Sequence, residues 1–271
     1  MTIFQQYAGY YDLLYGDKDY DGEAAFVADI IHRQLPHAKS ILEFGCGTGL
    51  HALALAKKGY SVVGVDLSRD MIAQAKKRHS KASIPSGTFV SFEQADIRSL
   101  RLAQKFDAVI SLFHVMSYQT ATLDVEATMI VAGKHLKPNG VFIFDYWYGP
   151  AVIKNPPTVR VKCIENEAIR VTRMAKPQML HGEHIVNVGY EIRIEDRVSG
   201  SVKQVRENHS MRYFFEPELC QLLNSVGFEP VRFGQWLTSK PPSDHTWSVY
   251  AVARHITTEC ETHNDDASLV S

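Results

Sequence analysis

The feature that most constrains this chain is the segment 41–49, which reads Ile-Leu-Glu-Phe-Gly-Cys-Gly-Thr-Gly. Its apolar start predicts a short buried strand, and its three alternate glycines predict a tight turn into a helix that begins at Leu50. A helix that begins at such a turn points unpaired N–H groups at whatever lies in front of it. The segment therefore predicts a ligand that approaches the backbone at the carboxyl end of a strand.

The acidic residue before the glycines indicates which kind of ligand suits this turn. A dinucleotide-binding turn has the spacing G-x-G-x-x-G, which needs a glycine at position 50, where this chain has Leu50. Glu43 would repel a pyrophosphate, whereas it would attract the ammonium of an amino-acid group whose carboxylate meets the N–H groups. A tight turn that binds nothing produces the same pattern, so the neighbouring motifs have to decide.

Composition excludes several classes of protein. The chain has 271 residues, which is enough for one α/β core with an embedded or appended subdomain. A net charge of -1 gives no overall attraction to nucleic acid or to a membrane, and no apolar run approaches the roughly 20 residues of a membrane helix. Residues 1–11 lack the pattern of a signal peptide. The four cysteines are scattered along the chain: Cys46, Cys163, Cys220 and Cys260. Their spacing argues against a disulfide framework or a zinc site, so we expect a cytoplasmic protein without a metal.

Strand and helix patterns alternate up to about residue 150, which predicts an α/β fold with a doubly wound, mostly parallel sheet. The predicted strands are 40–44, 61–66, 89–94, 108–112 and 141–146, with helices at 23–35, 50–58, 68–79 and 123–136. Beyond residue 149 the apolar residues alternate with polar ones, which predicts an antiparallel β insertion. Its strands are 159–164, 169–175, 185–196 and 202–213. A helix at 215–225 and strands at 229–236 and 246–253 then complete the sheet.

The division into regions follows from these patterns. We predict an N-terminal lid or helix at 1–36 and an α/β core at 37–150. The antiparallel insertion at 151–212 is expected on the substrate side. The C-terminal completion of the core at 213–254 and a polar, disordered tail at 255–271 follow it. The first region is rich in tyrosine: Tyr7, Tyr10, Tyr11, Tyr15 and Tyr20. These tyrosines fit either a helix packed on the core or a lid whose hydroxyl groups reach a ligand.

Two aspartates follow the second and third predicted strands, at the edge where open α/β sheets bind ligands. Asp66 could accept hydrogen bonds from the vicinal hydroxyls of a ribose or cap the next helix, and both roles can hold together. Asp96 could accept from an exocyclic amine while Ile97 packs on a flat base, although a capping role also fits. Met71 could cover the other face of that base or be an ordinary core residue.

Four ordered motifs, E-F-G-C-G-T-G, V-G-V-D, Q-A-D-I and F-D-A-V-I-S-L-F, resemble those of class I S-adenosylmethionine-dependent methyltransferases over about residues 37–150. The resemblance implies a Rossmann-like methyltransferase fold and S-adenosyl-L-methionine as cofactor. It also implies that Glu43 and the glycine turn hold the methionine end, Asp66 the ribose, and Asp96 with Ile97 the adenine. The full set of expected cofactor-binding residues is Tyr11, Tyr20, Glu43, Gly45, Cys46, Gly47, Gly49, Asp66, Leu67, Met71, Asp96, Ile97 and Phe113.

The loop at 113–118 follows the fourth strand and should border the reacting methyl group. An amine acceptor must be neutral before it can attack, so a proton acceptor near the acceptor would help. His114 and Tyr118 are the candidate catalytic residues, because histidine titrates near neutral pH without help and Tyr118 lies one helical turn further on. A surface histidine and a half-buried aromatic ring are the ordinary alternatives for these two residues.

Four further segments are similar to bacterial TDP-amino-sugar N,N-dimethyltransferases: Y-D-L-L-Y at 11–15, K-D-Y at 18–20, F-x-x-x-x-Y at 113–118 and D-Y-W-Y at 145–148. This resemblance implies that Tyr11 and Tyr20 close over the cofactor and that Tyr118 lies nearest the reacting amine. Trp147, Tyr148 and His245 would then contact the sugar substrate. Residues 241–247 depart from the expected glycine-rich segment with an arginine, which leaves the nucleotide part open, and Lys240 or His245 are candidates to replace that arginine.

Several functions therefore stay open at this stage. The favoured function is methyl transfer to the amine of a small molecule, with a nucleotide-linked amino sugar as the leading candidate. The alternatives are an O-, C- or amino-acid N-methyltransferase, and a protein that binds the cofactor without catalysis. We expect neither nucleic acid nor membrane as a partner, because there is no basic stripe and no N-P-P-Y-like tetrapeptide after strand four. A homodimer is left open.

Overall fold

The computed structural model describes residues 8–256, so the predictions on Tyr7, Cys260 and most of the tail predicted at 255–271 lie outside the described residues. The predicted start of that tail was wrong, because His255 is the last residue of the strand Ser248–His255. The helices are α1 (Ala8–Leu14), α2 (Tyr20–Gln34), α3 (Leu50–Lys57), α4 (Arg69–His79), α5 (Thr122–His135), α6 (Gly149–Lys154) and α7 (Glu216–Ser225). The strands are β1 (Ser40–Phe44), β2 (Ser61–Asp66), β3 (Val90–Gln94), β4 (Phe106–Ser111), β5 (Leu136–Tyr148), β6 (Arg160–Glu165), β7 (Ile169–Leu180), β8 (Ile185–Asp196), β9 (Val202–Phe214), β10 (Phe228–Gln235) and β11 (Ser248–His255).

The core is a mixed sheet with helices on both faces, which confirms the predicted α/β fold. Its strands lie in the order β3-β2-β1-β4-β5, all parallel. The sheet continues through β11, which is antiparallel to β5, and β10, which is antiparallel to β11. Successive side chains of one strand enter different layers: Ile41 packs with α2 and α3, whereas Leu42 packs with α5 and α7. Because both faces are covered, the parallel strands are continuous apolar runs.

The insertion is an antiparallel meander of β6, β7, β8 and β9, also as predicted. Its sheet pairs with the core sheet where Trp147 and Tyr148 of β5 lie in parallel beside Tyr213 and Phe214 of β9. The carboxyl end of β5 therefore belongs to both sheets, and the meander stands beside the edge where the ligand is expected. The division into 37–150, 151–212 and 213–254 stays a prediction, although its last boundary falls inside β9.

Several predicted boundaries were wrong because long-range pairing extends the strands. β5 begins at Leu136 and ends at Tyr148, since Leu136 pairs with Phe106 and the last two residues pair with β9. Residues 137–140, which separate the predicted helix at 123–136 from the predicted strand at 141–146, therefore lie within the strand, where Asn139 has a φ of 60°. β7 continues to Leu180 for the same reason. Helices α1 and α6 and the short 3-10 turn Val115–Tyr118 were not predicted, because such short segments carry little periodicity.

The tyrosine-rich N-terminal helix connects the core to the insertion. Tyr10 and Leu14 are buried together with Met71 of α4 and with Val171 and Ile192 of the meander. Tyr10 packs internally, as a helix packed on the core requires. Three other tyrosines border a cavity, so their role as a lid stays a prediction: Tyr11, Tyr15 and Tyr20. In the part of the chain that the structure describes, no helix is both long and apolar enough to cross a membrane.

Candidate active site

A cavity of about 540 Å³ lies between the carboxyl ends of the parallel strands, α1 and the meander. Most predicted site residues line it: Tyr11, Tyr20, Gly45, Cys46, Gly47, Asp66, Leu67, Met71, Asp96, Ile97, Phe113, His114, Tyr118 and Trp147. Four predicted residues are not part of its wall: Glu43, Gly49, Tyr148 and His245. The wall also contains residues that the sequence analysis did not name, among them His51, Tyr190, His209 and Met211.

The three glycines of the turn have different physical reasons to be glycine. A Cβ on Gly47 would meet no atom within 4 Å, so this residue faces open space inside the cavity. A Cβ on Gly45 would collide with the side chain of Val115, and one on Gly49 would lie 2.7 Å from the ring of Phe92. All three have positive φ values. Only Gly47 therefore leaves room for a ligand, while the other two permit close packing.

Asp66 holds the glycine turn in place. Its carboxylate accepts the N–H of Gly47 at 2.9 Å and the N–H of Ser68 at 2.8 Å. The cap of α4 is Ser68, whose hydroxyl accepts the N–H of Met71 at 3.3 Å, so the capping role expected for Asp66 belongs to its neighbour. Burial raises the pKa of Asp66. The carboxylate also lines the cavity, which keeps it available to a ligand hydroxyl.

Asp96 is held by an arginine that the sequence analysis did not name. The Arg98 guanidinium donates to both oxygens of Asp96, with Nε 2.9 Å from Oδ1 and Nη2 2.6 Å from Oδ2. These bonds lower the pKa of Asp96. Nη1 of Arg98 also lies 3.2 Å from Oδ1 of Asp124. Next to this cluster, Ile97 and Met71 supply two apolar surfaces of the same cavity, as a flat base would require.

Beneath the turn, Glu43 is almost completely enclosed, with 1% of its surface exposed. Its Oε2 has no hydrogen-bond partner among residues 8–256, and its Oε1 lies 3.8 Å from Nδ1 of His51. Burial, followed by the charge of Asp66, raises the pKa of Glu43 to about 8. A ligand ammonium at the turn would favour the ionised form, so this carboxylate suits the amino-acid end of the cofactor.

A second carboxylate lies on the other side of His51. The Nε2 of His51 is 2.7 Å from Oε2 of Glu23 on α2, and Glu23 also pairs with Lys18. Burial opposes the ionisation of Glu23, but its hydrogen bonds to His51 and Lys18 are stronger and lower its pKa to about 2. Nothing in the sequence around Glu23 predicted this cluster, because it depends on the packing of α2 against α3.

The loop after β4 has an uncommon backbone conformation. Phe113 and His114 both have a φ of 63°, which is a strained region for bulky residues and is often found at functional sites. Asp145 of β5 fixes this loop, since its Oδ1 accepts the N–H of His114 at 2.9 Å. Its Oδ2 contacts Nδ1 of His114 at 2.9 Å, although the two are not aligned for a hydrogen bond. His114 therefore borders the cavity in a fixed position.

Tyr118 belongs to a chain of buried polar groups that crosses from the core to the meander. Its hydroxyl lies 2.7 Å from Nδ1 of His209 on β9, and Nε2 of His209 lies 3.2 Å from Oε2 of Glu207. The hydroxyl of Tyr10 donates to Oε1 of Glu207 at 3.1 Å. His209 and Glu207 were missed in the sequence. Their spacing of two within one strand could have placed them on one face, but not beside Tyr118, which is 91 residues away.

The far end of the cavity is aromatic. Trp147, Tyr190 and Met211 line it together with Tyr118 and His209. The only lysine or arginine among the described residues in the cavity wall is Arg98, which lies beside Asp96. A phosphate group would find no cation within the aromatic end, whereas a neutral amine or a sugar ring could contact these surfaces.

Two predicted substrate residues lie beyond this wall. Tyr148 is the N-cap residue of α6. His245 has 70% of its side chain exposed and lies next to Asp244 and Lys154 at the surface. His245 is two residues from Trp247, which is not part of the cavity wall either. The ring centre of Trp247 lies 5.3 Å from that of Trp147, which does line the cavity.

The residues present fit S-adenosylmethionine. Gly47 leaves open space against the backbone, Glu43 offers an unpaired buried oxygen, and Asp66 presents a carboxylate to the cavity. Within the described range 8–256, no group of three or more metal-ligating side chains could hold a metal ion.

Comparisons with known proteins agree with this geometry. Residues 41–140 match a family described as a methyltransferase domain. A Geobacillus sp. (strain WCH70) protein named as a methyltransferase is 34% identical over 254 residues, which are 93% of this chain and 99% of that protein. A dTDP-3-amino-3,4,6-trideoxy-alpha-D-glucopyranose N,N-dimethyltransferase of Streptomyces venezuelae is 36% identical over 146 residues, which are 53% of this chain and 58% of that relative. The match thus spans little more than half of the Streptomyces protein.

A solved structure has the same fold. The S-adenosylmethionine-dependent methyltransferase from Clostridium acetobutylicum superposes with a TM-score of 0.77, covers 92% of this chain and 96% of its own, and is 20% identical. The family match, the near full-length relative and the cavity geometry lead to one conclusion: this chain belongs to the S-adenosylmethionine-dependent methyltransferases, with S-adenosyl-L-methionine as its cofactor.

Proposed function

We propose that this enzyme methylates the amine of a small molecule, with a nucleotide-linked amino sugar as the leading candidate. The observation that carries the proposal is that one cavity is bordered by Gly47 at one end and by Tyr118, Trp147 and His209 at the other. The second end is aromatic and joined to a histidine, which suits an amine that has to lose a proton. The name of the Streptomyces venezuelae relative supports an amino sugar.

The bound cofactor supplies a methyl group that its sulfonium already activates. In the proposed arrangement Glu43 and the turn at Gly47 orient the amino-acid end, Asp66 the ribose, and Asp96 the adenine. The remaining task of the protein is to align the acceptor and exclude water, and α1 contributes by placing Tyr11 and Tyr15 over the cavity. The residues proposed to face the acceptor are Tyr118, His114 and Trp147.

The nucleotide part of such an acceptor would extend out of the cavity. The aromatic end offers no cation to a diphosphate, as described above. Beyond Trp147 the surface leads through Trp247 to Lys154 and His245, which lie 3.3 Å apart. We propose that a diphosphate would lie there, where solvent lowers the cost of placing its charge.

The test is to incubate the purified protein with isotopically labelled S-adenosylmethionine and a panel of acceptors. The panel contains TDP-linked amino sugars, the same sugars without nucleotide, their hydroxyl analogues and glycine. Mass spectrometry is expected to show one or two methyl groups on the amine of the amino sugars. Methylation of the hydroxyl analogues alone would favour an O-methyltransferase. Tight cofactor binding with no methylation of any acceptor would favour a non-catalytic binding protein.

A further inference from the structure

We propose that His209, supported by Glu207, takes up the proton of the acceptor ammonium through the hydroxyl of Tyr118. This proposal rests on the proposed function, since it requires an amine acceptor. It makes His209 and Glu207 positioning residues that act through Tyr118, and it adds two residues of the meander to the reaction site.

The hydrogen bonds define the direction in which a proton can move. Because a carboxylate only accepts, Nε2 of His209 carries the hydrogen that it shares with Glu207. Nδ1 of the neutral ring is then an acceptor, and the hydroxyl of Tyr118 donates to it over 2.7 Å. A phenol oxygen that donates its hydrogen can also accept one, and Tyr118 lines the cavity in which the acceptor is proposed to lie. The tautomer follows from these partners, as it does for a histidine held by a carboxylate in a catalytic triad.

Tyr118 is suited to pass a proton on but not to keep the negative charge. Burial, above all other causes, raises the pKa of Tyr118 well above its ordinary value. A free phenolate is therefore costly in this position, whereas a phenol that accepts one proton while it releases another stays neutral. The group that changes its charge has to be the next one along the chain of hydrogen bonds.

Several charged and titratable groups surround His209. The charged and titratable groups that face it come from each element packed against it: Tyr118 from the 3-10 turn, Glu207 from β9 and Tyr190 from β8, whose ring is 4.9 Å away. Tyr10 of α1 reaches it through Glu207. Arg173 of β7 lies 4.9 Å from the ring of Tyr190, and its charge acts on Tyr118. The carboxylate of Glu207, at hydrogen-bond distance from Nε2, would stabilise a positive charge on the ring.

The proton balance is simple. The N–H bond of the acceptor ammonium breaks and an O–H bond forms on Tyr118, while the original O–H bond of Tyr118 breaks and an N–H bond forms on Nδ1 of His209. The acceptor nitrogen keeps its electron pair and becomes a neutral amine. The positive charge moves to the imidazole ring beside Glu207, and no oxidant or reductant is needed.

The first test needs no acceptor, so it is independent of the proposed function. The protein is labelled at histidine, saturated with S-adenosylhomocysteine and titrated by NMR. Glu207→Gln removes the carboxylate, so the midpoint of the His209 titration is expected to move down by about one pH unit. Tyr118→Phe removes a donor that favours the neutral ring, so the midpoint is expected to move up. An unchanged midpoint in both variants would overturn the proposal.

The second test uses the pH dependence of kcat with an amine that the enzyme methylates. His209→Gln is expected to lower kcat at pH 7 roughly 100-fold, to leave KM nearly unchanged, and to lose the rise of kcat near neutral pH. An alkoxyamine acceptor, whose nitrogen is already neutral at pH 7, should be methylated by this variant almost as fast as by the wild type. A loss of the same size with that acceptor would show a structural role and contradict the proposal.

Two histidines provide controls for this experiment. His135 is buried and accepts the N–H of Leu102 at 2.9 Å, but it lies away from the cavity, so His135→Gln should lower stability without changing the pH profile. His114 is the competing proton acceptor, because it borders the same cavity beside Asp145. If His114→Gln abolished the rise of kcat while His209→Gln retained it, the assignment to His209 would be wrong.

Discussion

The two ends of the cavity are built from similar groups in different ways. At the cofactor end, Glu43 and His51 come from one strand and the helix that follows it, within a single stretch of chain. At the acceptor end, Tyr118 and His209 come from the core and the insertion, 91 residues apart. Each end contains a buried histidine beside a carboxylate, so chemistry alone does not distinguish them. What differs is whether chain neighbours or distant strands bring the groups together.

This difference separates binding from turnover. The local end holds backbone and carboxylates rigidly against the cofactor, so changes there should act on cofactor affinity. The end formed by the meander is the proposed acceptor site, so changes there should act on kcat. The predictions below test that separation, from the largest expected effect to the smallest.

The largest effect is expected from Gly47→Val, which would fill the open space at the turn. The affinity for S-adenosylhomocysteine, measured by calorimetry, should fall roughly 100-fold because the added side chain occupies the ligand position. Gly200→Val is the matched control, since Gly200 also has a positive φ and open space around it but lies in the turn between β8 and β9. Equal effects of the two changes would mean that backbone strain, not occupancy, explains the loss.

A smaller loss of affinity is expected from Asp66→Asn, which weakens the bond to Gly47 N–H and removes a charge from the cavity. We expect S-adenosylhomocysteine binding to fall roughly 10-fold. Asp107 is a matched carboxylate at the opposite edge of the sheet, where it accepts the N–H groups of Lys39 and Ser40. Asp107→Asn should lower the melting temperature but leave the affinity unchanged, and a comparable loss of affinity would contradict the local role of Asp66.

Glu43→Gln should change how stability depends on pH. With its pKa raised from 4.5 to about 8, folded Glu43 holds a proton that the unfolded chain releases, so its contribution to stability falls as pH rises through this window. Urea unfolding without cofactor should therefore show that the variant gains about 4 kcal/mol on the wild type between about pH 5 and pH 9.

Glu23→Gln supplies the opposite case for that measurement. The pKa of Glu23 is lowered to about 2, so its contribution is already complete above pH 5 and is lost only as the solution becomes more acidic. The Glu23→Gln variant should be destabilised by the same amount at pH 5 and at pH 9. A change with pH like that of Glu43→Gln would mean that another group in the cluster titrates.

The smallest effect is expected from His245→Ala. An exposed side chain contributes at most about 1 kcal/mol to binding, so KM for a TDP-linked amino sugar should rise less than about fivefold. KM for the sugar without nucleotide should not change. Steady-state kinetics with the two acceptors measure this difference. An equal effect on both would show that His245 does not meet a diphosphate.

Prediction from sequence succeeded where function depends on residues close together in the chain. The order of strands and helices, the glycine turn and the positions of Asp66, Asp96, His114 and Tyr118 at one edge all follow from local patterns and the geometry of parallel sheets. It failed to find Arg98, Glu23 and His209, because their roles depend on which side chain another element brings beside them. The boundaries of β5 were wrong for the same reason, since its ends pair with β4 and β9.

The sequence by itself determined the class of fold and the edge of the sheet where a ligand is expected, because a repeated apolar pattern and a glycine turn are short-range properties. Its resemblance to a known family supplied the identity of the cofactor. Only the tertiary structure decided which glycine faces the ligand, which carboxylate stays unpaired and which histidine meets Tyr118. Those outcomes depend on burial and on contacts between distant segments, and burial sets the cost of every charge. The acceptor end of this enzyme is therefore a product of packing between the core and the meander.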